Sequence, residues 1–248
     1  MDARPLEIAS TFRLCQSFPD RQVFCPKRRA HVVKSGGSPE NGDERRTTKR
    51  DPESNRRALI MATLDTIAEI GITETTVSKI IQQAGLSRGM IHLHFGGKTQ
   101  LLTAAAKSFG ESYYEVLDQQ IKAAGDDPEA IIMAVIRADI SEALMNMRST
   151  RIWHAFRGAA NTNEGIAVYS STRDKRLRDT IHSAFCQIAA ESGADENSTL
   201  ARDATFGLLA LLEGMWVDYL SYGDAFSRET AISIIRRLIA GLFPGRFL

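Results

Sequence analysis

One run of fourteen residues constrains this chain more than any other: Thr76-Val77-x-x-Ile80-x-x-x-Ala84-Gly85-Leu86-Ser87-x-Gly89. Val77, Ile80, Ile81 and Ala84 recur at helical spacing, so 76–84 is expected to be a short amphipathic helix. Ala84 is small enough to let a second helix approach closely. Gly85 supplies the positive φ that a tight turn needs. Leu86 is placed to enter a shared core, and Ser87 to cap the next helix by accepting a hydrogen bond from its free N–H groups. A second short helix then follows over 88–94. That order is what a helix-turn-helix requires, with the N-terminal residues of the second helix presented to base edges in a major groove. An ordinary αα-hairpin is the competing fold, but it has no need of this order of residue types.

The remaining pattern is helical throughout. Asp51-Pro52-Glu53-Ser54 offers a cap, a first-turn proline and an early acid, so a helix is expected from there to Gly71. Further helices are expected over 99–124, 129–147, 149–160, 165–192, 198–221 and 227–242, before the exit at Phe243-Pro244-Gly245. No alternating strand and no internal repeat interrupts them, so the fold class is all-α. Residues 1–50 carry no sustained period, and Pro, Gly and Ser punctuate 35–42; this stretch is expected to be a disordered N-terminal extension.

Charge is uneven. The chain has a net charge of +1, yet residues 1–50 hold eleven Lys and Arg against six Asp and Glu. A basic arm is compatible with nucleic acid and equally with a solvated tail. Cys15, Cys25 and Cys186 are an odd set without paired Cys/His spacing, which argues against a disulfide framework or a zinc site and fits a reducing cytoplasm. No apolar run of eighteen residues is present, so no membrane association is expected. The sequence has no GxSxG, HExxH or phosphate-cradling glycine loop, and His92 and His94 lie two apart on different sides of a helix. Neither catalysis nor a cofactor or metal is expected.

The helix-turn-helix run, together with His94-Phe95-Gly96-Gly97-Lys98-x-x-Leu101, resembles the TetR family of transcriptional repressors. The resemblance implies a three-helix DNA-binding domain at 51–98. A helical effector-binding and dimerisation domain would follow at 99–248. It also implies a homodimer on a palindromic double-stranded operator, released by a small-molecule effector. Lys98 matches the family's phosphate-contacting lysine at the start of the fourth helix, where the positive helix end reinforces the contact. In the DNA-facing set, Arg88 is the candidate for a guanine, and Met90 and His92 for thymine methyl or backbone contacts. Thr76 and Lys79 are expected at the flanking backbone, with Ser87 beside them. The family often carries tyrosine where this chain has His92 and Leu93, and Leu93 is expected to pack inward. Arg56 and Arg57 open the first helix, either to meet phosphate or merely to face solvent.

In the C-terminal part, the apolar residues of 198–221 and 227–242 form two long stripes that a symmetry mate would complete into a four-helix bundle. Arg151-Ile152-Trp153-His154-Ala155-Phe156 and Leu212-Glu213-Gly214-Met215-Trp216 resemble a branch of the family whose members sense choline. The chemistry is consistent: Trp153, Phe156, Trp216 and Tyr219 offer aromatic faces to a weakly hydrated cation, and Glu213 or Asp218 a carboxylate. Core filling is the alternative use of those rings. Effector binding would be passed to the DNA along the helix that begins at Lys98. A helical scaffold protein with a non-functional helix-turn-helix is the rival reading; a basic, exposed surface around Arg88, Met90, His92 and Lys98 separates the two.

Overall fold

Most helices begin or end where local chemistry gives their free backbone groups a partner. The computed structural model describes residues 51–193 and 199–248, apart from the side chains of 170–174. Among these residues there are nine α-helices, one 3-10 turn at Gly223–Ala225 and no strand, as the periodicity requires. The helices are α1 (Pro52–Ile70), α2 (Val77–Ala84), α3 (Gly89–Phe95), α4 (Lys98–Ala124), α5 (Pro128–Ile140), α6 (Met147–Ala160), α7 (Glu164–Glu191), α8 (Leu200–Tyr222) and α9 (Arg228–Leu242). The expected extension at 1–50 lies outside the described residues.

Side-chain caps open α2, α5, α6, α7 and α9, where Thr76, Asp127, Asn146, Asn163 and Ser227 each accept a backbone N–H from three residues on. Two expected caps are not made. Asp51 holds α1 through its carbonyl, which accepts from the N–H of Asn55, and makes no side-chain cap bond. Ser87 likewise uses its carbonyl, toward the N–H of Met90 at 3.1 Å, while Arg88 already has helical angles and occupies the cap position. The N–H of Met90, three residues on, which a Ser87 hydroxyl cap would use, is taken by the Ser87 carbonyl.

Helix α5 ends at Ile140 rather than near Met147, and α6 starts correspondingly earlier. The cause is remote in sequence. Ser141 is extended, its hydroxyl donating to the carbonyl of Ala138, and the Arg228 guanidinium of α9 donates to the carbonyls of Ile140 and Met145. An arginine that satisfies the freed carbonyls makes the break affordable, although the local apolar pattern continues through it.

Three apolar clusters run through the unit. Leu59, Ala62, Ile80, Ile91 and Leu101 hold α1, α2, α3 and the start of α4 together. The opposite side of α1 contributes Leu64 and Ile67 to a second cluster with Leu102, Ala105, Ile152, Phe156 and Ile166 from α4, α6 and α7. The largest cluster lies among α4, α5, α7, α8 and α9 and includes the stacked pair Phe185 and Phe243, 5.4 Å between ring centroids. Helices α4 and α7 cross closely at Gly165, where an added Cβ would lie 2.6 Å from the Thr103 hydroxyl. No described helix is long and apolar enough to cross a membrane.

Candidate functional site

The turn between α2 and α3 is built as its residue types require. Gly85 sits at φ 63° and ψ 34°, the left-handed region, and its N–H and that of Leu86 both close on the carbonyl of Ile81. Val77, Ile81, Ala84 and Leu86 pack against the first cluster, which fixes α3 by its one fully buried side chain, Ile91. At 100° per residue, positions one and two places from Ile91 turn outward. Gly89, His92 and Leu93 are accordingly exposed, and Arg88 is exposed at the cap position, just ahead of the helix.

Leu93 corrects an expectation: it is 74% exposed instead of packed inward. Two residues beyond Ile91 on a single-turn-plus helix, it has nowhere inward to go. Met90 is half-buried against the cluster, so only part of it faces out. Thr76 is exposed and serves as the cap of α2, accepting the N–H of Lys79 at 3.3 Å. The Lys79 ammonium lies 3.0 Å from the Glu74 carbonyl oxygen and 3.8 Å from its carboxylate. Ser87 is exposed, and Lys98 is half-buried at the first residue of α4, directly after Gly96 and Gly97. His92 Nδ1 lies 3.1 Å from the carbonyl oxygen of Gly96; since that oxygen only accepts, Nδ1 carries the hydrogen and Nε2 points away. Of the paired arginines, Arg57 is exposed, but Arg56 turns inward. It donates to the His94 carbonyl at 3.0 Å and stacks 4.5 Å above the Phe95 ring, fastening α1 to the end of α3.

A cavity of about 230 Å³ opens among α5, α6, α7 and α8. Its walls bring together Trp153 and Trp216, edge to face at 6.4 Å, with Asp139, Arg157, Arg178, Phe206 and Glu213. Asp139 is only 1% exposed, and its two oxygens accept from the Tyr113 hydroxyl at 2.6 Å and the Trp216 indole N–H at 2.8 Å. Arg157 lies 5.2 Å from the Trp153 ring centre and 3.6 Å from the Glu213 carboxylate.

The aromatic set expected as one cage is divided. Trp153 and Trp216 line this cavity with Glu213, whereas Phe156 lines a smaller apolar hollow behind Trp153 with Phe109 and Tyr169. Tyr219 packs instead against Phe226, 5.6 Å away, and under the Arg228 guanidinium. Asp218 is exposed. The acid that sequence reasoning missed is Asp139. Its signal was present, because Ile132, Val135, Ile136 and Asp139 fall on one helical stripe and only the last is charged.

A second omission concerns α6. The helix that carries Trp153 and Arg157 also grips α1, where the Arg148 guanidinium meets the Asp65 carboxylate at 2.6–2.7 Å and Arg151 reaches the carbonyl of Ala68 at 3.4 Å. The link between body and helix-turn-helix therefore runs through α6 as well as α4.

A helix-turn-helix with an exposed Arg88, fixed to a helical body that encloses a chemically distinctive cavity, defines a one-component transcriptional regulator. Comparison with known proteins agrees. Residues 59–105 match the model of the bacterial regulatory proteins of the tetR family, and residues 128–244 match that of the BetI-type transcriptional repressor C-terminal domain. The HTH-type transcriptional regulator BetI of Stenotrophomonas maltophilia is 30% identical over 174 residues, covering 70% of this chain and 85% of that protein. BetI of Cronobacter sakazakii is 27% identical over 194 residues, 76% of this chain and 93% of the relative. Among solved structures, a transcriptional regulator from Pseudomonas aeruginosa PAO1 superposes with a TM-score of 0.72 at 27% identity, over 82% of this chain and 97% of that one. A regulator from Saccharomonospora viridis, solved in complex with choline, shares the fold with a TM-score of 0.64 at 18% identity, over 75% of this chain and 96% of that one. The chain belongs to the TetR family of transcriptional regulators, with a body of the BetI repressor type.

Proposed function

We propose that this regulator binds a palindromic operator as a homodimer and releases it when a small cationic effector, of the quaternary-amine class, enters the cavity beside Trp153 and Trp216. The observation that carries the reading is that one helix, α6, both lines the cavity and is bonded to α1 of the helix-turn-helix. Binding energy developed at Trp153 thus has a direct mechanical route to the DNA-reading end.

On the DNA side, Arg88 takes the guanine contact, and His92 and the outward part of Met90 lie along the groove. Leu93 adds an apolar contact for a thymine methyl. Thr76, Lys79 and Ser87 meet the flanking phosphates, and Lys98 with the free N–H groups at the start of α4 clasps another. Of the four residues that separate the two readings, Arg88 and His92 are exposed and Met90 and Lys98 half-buried, a set without an acid that favours nucleic acid over a protein partner. We assign 51–98 to this task and 99–248 to effector and partner.

The dimer is supported by two outward apolar stripes. Val217 and Leu220 on α8 are 48% and 37% exposed, and Leu238 and Leu242 on α9 are 52% and 43% exposed. A second copy that covers them would make the four-helix bundle and set two α3 helices toward successive major grooves.

On the effector side, the cavity is lined by two indoles and a buried carboxylate, and an aromatic face attracts a poorly hydrated cation at roughly 0.5–2 kcal/mol per ring. Phe156 supports Trp153 from behind, and Tyr219 stands outside the cavity wall. The test is a mobility-shift titration on DNA upstream of the protein's own reading frame, with and without choline or tetramethylammonium. Release of the wild type but not of Asp139→Asn is the expected result. Equal release of both while each binds the DNA removes the cavity from the mechanism.

A further inference from the structure

The charge on the cavity wall is balanced, and this bears on which cation fits. Asp139 and Glu213 supply two carboxylates, and Arg157 and Arg178 supply two guanidiniums. Three of the four are engaged. Asp139 accepts from Tyr113 and Trp216, and Arg157 stands between Glu213 and the face of Trp153. Arg178, exposed at the rim on α7, has neither an ion pair nor a hydrogen bond with any described residue. A simple monocation would add one positive charge to a wall that is already neutral and leave Arg178 without a counter-ion.

We infer that the effector is a zwitterion, a trimethylammonium or similar cation joined by a short chain to a carboxylate, with the head against Trp153, Trp216 and Asp139 and the carboxylate paired with Arg178. The inference rests on the cationic reading of the cavity given above. Its physical basis is that a planar guanidinium pairs with a carboxylate through two parallel, charge-assisted hydrogen bonds, whereas a hydroxyl offers it a single weak acceptor. The pair keeps the wall electrically neutral after binding. Arg178 is thus the residue that sets specificity between an amino alcohol and an amino acid derivative.

Isothermal titration of the full chain with tetramethylammonium, choline, trimethylammonioacetate and 4-(trimethylammonio)butanoate tests this directly. The wild type should bind one of the two carboxylates at least tenfold more tightly than choline. Arg178→Gln should erase that preference by weakening the carboxylates, with choline bound at least as tightly as before, while Arg178→Lys retains part of it. Melting curves confirm that these exposed-site variants are folded. Choline binding as tight as either carboxylate, or an Arg178→Gln variant that keeps the preference, overturns the inference and leaves the cationic cavity standing. No binding of any of the four overturns the cationic reading itself, and this inference with it.

Discussion

Arg88 and Lys98 occupy different positions relative to the DNA, and their loss should read differently. Arg88 is exposed at the start of α3, so Arg88→Ala should remove about 1–3 kcal/mol of operator affinity at each half-site while unrelated DNA binds nearly as before. Lys98 opens α4 beside two glycines. Lys98→Ala should weaken operator and unrelated DNA alike, and flatten the salt dependence by about 1.8 in log–log slope, about 0.9 for each half of the dimer. Fluorescence anisotropy at several salt concentrations separates the two. Leu93 gives a sharper residue-level test. Because its side chain is 74% exposed, Leu93→Ser should change stability by no more than about 0.5 kcal/mol yet lower operator discrimination. A melting temperature that falls by several degrees would mean that Leu93 is packed. The outward direction of Leu93 was legible in principle, since Ile91 fixes the inward face and a helix turns 100° per residue.

Helix by helix, the sequence was most informative where a boundary is made by its own residues. Thr76, Asp127, Asn163 and Ser227 cap the helices they precede, and Gly85 turns where only a left-handed residue fits. Gly85→Val should therefore cost about 1–2 kcal/mol in thermal or urea unfolding, and Gly85→Asn appreciably less. The α5–α6 break was not legible, because Arg228, eighty-eight residues beyond Ile140, is what satisfies the exposed carbonyls there. The role of α6 was equally hidden. Its Arg148–Asp65 pair is half-exposed and adds little to stability, but it joins the cavity helix to α1. Asp65→Asn should leave effector affinity of the isolated protein unchanged. At the same time it should reduce the effector-induced loss of DNA binding, whose full size is about 1–3 kcal/mol in coupling free energy. Titrating the effector with and without operator measures that coupling.

At the scale of the whole molecule, α1 is the shared wall. One side of it builds the helix-turn-helix with Leu59 and Ala62, and the other enters the body with Leu64 and Ile67. A shift of α6 or α4 cannot leave α1 in place without opening a packed apolar contact, and in the proposed function this is the route by which ligand and DNA compete. The second molecule-wide property is assembly. The double variant Val217→Asp with Leu238→Asp alters only exposed side chains, so each chain should stay folded while the mass in sedimentation falls to that of a monomer. Operator affinity should then drop by more than a hundredfold, since a single recognition helix holds half of the site.

What the sequence determined by itself is what depends on neighbours within a turn or two: nine helical segments, the glycine turn and the apolar stripes. Those are fixed by backbone hydrogen bonding and by the 3.6-residue period, and both are local. The tertiary structure decided what depends on residues far apart in the chain. Asp139 receives its two donors from positions 26 and 77 residues away, and α6 finds α1 across 83. It also parted the four aromatics, giving Trp153 and Trp216 to the cavity, Phe156 to the hollow behind it and Tyr219 to the α9 junction. A helical period says which side of a helix is buried, but not which helix will cover it.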